Sequence, residues 1–211
     1  MSKSMIAVVL DASGSMGHLK VETISALNKL ISEQQAVPGE ALFTLAQFSD
    51  PTAYKLIRDA VPLATIKPIT PDDYNPSGYT ALVDAMGKTI DDVGRKLAAM
   101  PEAERPDKVV FVVMTDGHEN ASREYRHDQV MEKVKHQTEK YGWQFLFLGA
   151  GPDAIQQGGA VGIGAAAAMS YNASQTGVHK AIASTSDVLR SYRSGASASV
   201  SYSNSHRSDN S

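Results

Sequence analysis

Asp11-Ala12-Ser13-Gly14-Ser15 sets one carboxylate and two hydroxyls at alternate positions directly behind the apolar run Met5 to Leu10. Hard oxygen donors presented where a buried strand ends suit a divalent cation. Two other stretches carry donors of the same kind. Thr80, in Gly78-Tyr79-Thr80-Ala81-Leu82, stands at the entry to an amphipathic segment. Asp116, in Thr115-Asp116-Gly117, follows the apolar run that begins near Lys108. Each has an ordinary reading when taken alone: Ser13 and Thr80 are residue types that cap helices, and Asp-Gly is a common turn. Their joint occurrence makes Asp11, Ser13, Ser15, Thr80 and Asp116 a candidate metal-ligand set. The chain has no cysteine, so any metal is held by oxygen or imidazole.

The elements that must position these residues follow from hydrophobic periodicity. Apolar runs alternate with helical periods, the pattern of an α/β domain with a mostly parallel, doubly wound sheet and helices on both faces. Strands are expected at about Met5 to Leu10, Ala41 to Phe48, Lys108 to Met114 and Trp143 to Leu148, the first and third buried on both faces because they barely alternate. Helices are expected at about Leu19 to Gln35, Ala81 to Ala99 and Arg123 to Tyr141, the last stopped by Gly142. Tyr54 to Ile69 reads as a hairpin or an antiparallel edge strand with its turn at Arg58-Asp59, and Pro62 favours the edge. Ala165 to Tyr171 suggests a short final strand, and Asn172 with Gln175 resembles a capping box opening a helix that runs to about Arg193. In a parallel sheet the carboxyl ends of neighbouring strands lie side by side, so Asp11 and Asp116 can converge.

One domain over residues 1–193 is expected, with a serine-rich, disordered tail over 194–211. The net charge of −3, with acids and bases mixed along the chain, gives no footprint for nucleic acid. No apolar run is long enough to span a bilayer, and the N-terminus lacks a secretory pattern, which together predict a soluble, cytoplasmic protein.

Asp11-x-Ser13-x-Ser15, Thr80 before its helix and Asp116 in Thr-Asp-Gly together resemble the metal-ion-dependent adhesion site (MIDAS) of von Willebrand factor A domains. The resemblance covers roughly residues 3–193. The run from Thr115 through Asn120 into a helix and on to Tyr141-Gly142-Trp143 looks like small bacterial and phage members of that family. It implies a Rossmann-like fold and direct coordination by Ser13 and Ser15. Thr80, Asp11 and Asp116 would then act directly or through water. Mg²⁺ is the ion expected, with Mn²⁺ or Ca²⁺ as alternatives. A set of hydroxyls with only two carboxylates leaves such an ion incompletely neutralised, and in the family the remaining position is taken by an Asp or Glu of a partner protein. A non-enzymatic, metal-dependent protein-binding domain is therefore expected, with helix N-termini near Met16 and Thr80 adding donors for the incoming anion.

Rival chemistries fit less well. Ser13 stands where Gly-x-Ser-x-Gly of an α/β-hydrolase needs its first glycine. Asp11-x-Ser13 lacks the second carboxylate of aspartyl-phosphate phosphatases. Gly149-Ala150-Gly151 follows a strand but aims Asp153 at the place of a pyrophosphate, so it reads as a structural turn. A metal-assisted hydrolase would need a base beside the metal, for which only His118 and Glu119 are candidates. A structural or self-assembling role, with a vestigial or bridging metal site, is the remaining alternative.

Overall fold

The computed structural model describes residues 3–209. Strands β1 (Lys3–Asp11), β2 (Glu40–Phe48), β3 (Lys55–Pro62), β4 (Lys108–Thr115), β5 (Gln144–Ala150) and β6 (Ala168–Tyr171) form one sheet in the order β3-β2-β1-β4-β5-β6. All pairs are parallel except β2 with β3. Helices α1 (Lys20–Gln35) and α5 (Gln175–Arg193) pack on one face. On the other lie α2 (Leu82–Ala99), α3 (His127–Tyr141) and the short α4 (Ala154–Ala160). The sheet therefore separates two apolar cores. Ile6, Val8 and Leu10 of β1 enter the first, and Met5, Ala7 and Val9 the second, as the two-residue strand period requires. Strand order reverses between β1 and β4, which is where doubly wound sheets open a crevice at their carboxyl edge. Asp11 ends β1 and Asp116 follows β4 at that crevice.

Four local expectations need correction. Arg58-Asp59 is no turn: β3 runs through it as a single antiparallel edge strand, whose register shifts where Ala60 adopts φ 50°. The third long helix starts at His127 rather than Arg123, because the N–H groups of Ala121 to Tyr125 are held by carboxylates of Glu119 and Asp84 instead of by helical carbonyls. The cap of α5 is Ser174, whose hydroxyl accepts from Gly177 N–H at 3.1 Å; Asn172 lies two residues before it.

The fourth concerns the serine-rich tail, which is structured through residue 209. Val200 and Tyr202 are buried in the first core, and a sixth helix, α6 (Asn204–Asp209), follows. Tyr202 shares a 2.9 Å hydrogen bond with Thr185 of α5, and its N–H donates to the Ala166 carbonyl. The guanidinium of Arg207 donates to the carbonyls of Ala165, Ala166 and Ala168. These two buried side chains and these hydrogen bonds anchor the segment.

Candidate metal centre

Three loops meet at the crevice. The first leaves β1: the Asp11 side chain is fully buried, with Oδ1 accepting the Ser13 N–H at 2.7 Å and Oδ2 the Thr115 hydroxyl at 2.6 Å. The Asp11 carbonyl accepts the Tyr74 hydroxyl at 2.7 Å. Ser13 and Ser15 hydroxyl oxygens lie 3.0 Å apart, and Ser15 donates to Asp116 Oδ1 at 2.6 Å. Four of the five expected residues thus form one hydrogen-bonded chain. Thr80 joins it in space: a Cβ on Gly117 would stand 3.3 Å from Thr80 Oγ1 and 4.0 Å from Ser15 Oγ.

The hydroxyls of Ser13 and Thr80 do not cap helices. Ser13 precedes a 3₁₀ segment, Gly14–Leu19, without a side-chain cap bond, and the residue before α2 is Ala81. Thr80 is 3% exposed, and its hydroxyl makes no hydrogen bond among the described residues. Its oxygen keeps some contact with solvent and lies beside the cluster, free to coordinate.

The second loop is set by glycine. Gly78, at φ 78°, accepts the Gly14 N–H on its carbonyl at 3.0 Å, and a Cβ there would collide with the Asp50 carboxylate. The third loop is tied down by Glu119, which its place just after Asp116 marked as a residue beside the site, and by Asn120 and Asp84, which sequence reading did not single out. Asn120 exchanges backbone and side-chain hydrogen bonds with Thr80. Glu119 accepts from the N–H groups of Val83, Ala121 and Ser122 and from the Ser122 hydroxyl. The buried Asp84 accepts from Arg123, Glu124 and Tyr125, while its own N–H donates to Ser122 Oγ. Acidic residues so near the start of a helix are a weak sequence signal for capping, but partners 36 to 41 residues apart leave no pattern. These bonds narrow one expectation: in the first turn of α2 the N–H groups of Val83 and Asp84 serve the loop, and Met16 N–H serves Ser13, so these three are not available to an anion.

Burial raises the Asp11 carboxyl pKa from its ordinary value, outweighing the Thr115 and Ser13 donors, and the like charge of Asp116 adds to the rise. Asp116 is raised as well, chiefly by burial, with the Ser15 hydroxyl and His18 opposing. Two desolvated carboxyls side by side are a poor arrangement unless a cation neutralises them. His18 turns its Nδ1 to the Ser15 carbonyl at 2.6 Å, and His118 faces Asp153 at 3.2 Å. Among the described residues no group of three or more His, Asp or Glu converges, so the donor set is dominated by hydroxyls. Hard oxygens from three loops, one of them unpartnered, fit a divalent ion.

The sequence profile of the von Willebrand factor type A domain matches residues 6–178. The chain belongs to this family. No curated protein matches the sequence of this von Willebrand factor A domain. Among solved structures it is similar to proximal thread matrix protein 1 of the mussel byssus with a zinc-occupied MIDAS motif, at 15% identity and TM-score 0.62 over 90% of this chain and 46% of that one. It is also similar to a von Willebrand factor type A protein from Catenulispora acidiphila, at 10% identity and TM-score 0.59, covering 90% and 43% of the two chains. The pilus adhesin SpaC from Lactobacillus rhamnosus GG aligns at 11% identity and TM-score 0.68, covering 92% and 31%. This domain spans less than half the length of each of these proteins, and at such identities the likeness establishes the fold.

Proposed function

We propose that this von Willebrand factor A domain is a non-enzymatic, metal-dependent protein-binding module whose MIDAS consists of Asp11, Ser13, Ser15, Thr80 and Asp116. Mg²⁺ is the proposed ion, with Mn²⁺ and Ca²⁺ able to replace it. The observation that carries the reading is the convergence of the Thr80 hydroxyl, free of hydrogen bonds among the described residues, with the Ser13–Ser15–Asp116 chain. A dication bound there supplies a positive centre with an exchangeable position, suited to an Asp or Glu of a partner protein. Thr115 and the Ser13 N–H fix the Asp11 carboxylate from two sides, so that this buried group keeps one orientation.

The same geometry speaks against hydrolysis. A general base needs a free basic atom within reach of water. Glu119 has both oxygens engaged by four donors, and His118 is 73% exposed and turned toward Asp153.

Calorimetric titration of chelator-stripped protein with Mg²⁺ and with Mn²⁺ tests the metal centre. Saturable binding is expected, weakened at least about tenfold in Asp11→Ala and Asp116→Ala variants that keep their circular dichroism. Wild type that binds neither ion, or variants that bind as well as wild type, would overturn it. Capture of a partner with metal and its release by chelator then tests the recognition role.

A further inference from the structure

A cavity of about 460 Å³ opens at the opposite end of the sheet, where the parallel strands begin. Ser4, which lines it, stands seven positions before Asp11 along β1, roughly 23 Å at strand rise. Its size falls in the range of small-molecule pockets. One wall is apolar, formed by Leu42, Pro62, Leu63 and Ala64. Arg193, the last residue of α5 and only 5% exposed, also lines the cavity.

The guanidinium has five N–H donors. Nε donates to Ser4 Oγ at 2.9 Å, and Nη1 donates to the Gln34 carbonyl at 2.6 Å and to Gln34 Oε1 at 3.1 Å. Those bonds tie the end of α5 to β1 and α1, which accounts for the side chain's position. They do not account for Nη2, which makes no hydrogen bond among the described residues. No carboxylate lies within ion-pair distance of Arg193 among them either, and its pKa is lowered by burial alone. Nη2 therefore brings two unused donors, within reach of solvent, to the cavity, where an anion would give the guanidinium its charged partner.

We propose that this cavity binds a small amphiphilic carboxylate, its anionic group on Arg193 Nη2 and its apolar body against Leu42, Pro62, Leu63 and Ala64. Other charged groups narrow the ligand class. Glu40 and Glu104 also line the cavity and repel a multiply charged phosphate more than a monoanion, while Lys3, the second cation of the lining, directs its Nζ to the Ala103 carbonyl at 3.0 Å. Nη1 and Nε are already occupied, so the contact is made by one nitrogen rather than by a bidentate fork.

The test is titration of the full chain with octanoate, octanol and inorganic phosphate by calorimetry, with chelator present so that no metal offers a rival carboxylate site. Octanoate is expected to bind saturably, with octanol and phosphate at least about tenfold weaker. Ala64→Trp, at an exposed position on the cavity wall, and Arg193→Gln should each weaken octanoate by a similar factor. Absence of saturable octanoate binding, octanol binding as tight as octanoate, or unchanged binding in Ala64→Trp would overturn the proposal. Should Arg193→Gln fail to fold, the octanol comparison and Ala64→Trp decide.

Discussion

Asn120 and Thr80 hold each other by two hydrogen bonds: the Asn120 N–H donates to the Thr80 carbonyl at 3.0 Å, and the Thr80 N–H donates to Asn120 Oδ1 at 2.9 Å. The pair fixes the loop after β4 against the loop before α2, and with it the placement of the Thr80 hydroxyl relative to Asp116. Asn120→Ala leaves the buried Thr80 N–H without its acceptor. A stability loss of about 1–3 kcal/mol is expected by denaturant titration, together with weaker metal binding by calorimetry. Asn120→Asp keeps the acceptor and should recover most of the stability.

Gly78 is a second point of control. Its φ of 78° disfavours any Cβ, and the Asp50 carboxylate occupies the space where one would stand. Gly78→Ala should cost more than about 1 kcal/mol. Because the Gly78 carbonyl receives the Gly14 N–H, metal affinity should fall with stability. A variant melting like wild type would show that the loop relaxes freely.

The segment beyond α5 contributes to folding. Tyr202 is 5% exposed and lies in the core shared with α5. Tyr202→Ala should destabilise by about 3–5 kcal/mol, as other large aromatic-to-alanine changes in cores do. Tyr202→Phe removes only the bond to Thr185 and should cost about 0.5–1.5 kcal/mol. Thermal melts of the two variants separate packing from hydrogen bonding.

Asp73 gives an expected pH dependence. Its carboxylate accepts the Thr70 N–H at 2.9 Å and the Thr70 hydroxyl at 2.8 Å, with Arg58 at 3.4 Å, and its pKa lies below the ordinary value, the Thr70 backbone bond being the main cause. A folded-state pKa below the unfolded one means a contribution fully present above the unfolded value and lost as pH falls through the folded value. The neighbouring Tyr74 donates to the Asp11 carbonyl, so this turn supports the metal loop. The melting-temperature gap between wild type and Asp73→Asn should be full above the ordinary carboxylate range and should shrink as the pH falls below it.

The sheet and its helices were legible because near-continuous apolar runs such as Val109 to Met114 leave few alternatives to a buried strand, and because the 3.6-residue period of α2 is strong. The candidate ligands could be placed because each sits at the end of such an element. What could not be read depends on partners distant in sequence. Glu119, Asn120 and Asp84 look like any exposed polar residues until the loop after β4 folds back on α2. Val200 and Tyr202 lie among serines with no period, and only their tertiary packing into the first core buries them. Arg58-Asp59 resembled a turn because a charged pair between apolar stretches is also what an edge strand presents to solvent.

The two outer strands bear on how copies of this domain can meet. An unprotected edge invites a further strand and, from there, uncontrolled growth. At one border β3 carries a bulge at Ala60 and ends in Pro62, which has no N–H to offer. At the other border Arg207 and the Tyr202 N–H already occupy carbonyls of the Ala165–Ala168 stretch leading into β6. Both borders thus carry features that discourage a further strand. Association by strand addition is disfavoured, and contacts with other chains are left to the loops and helical faces.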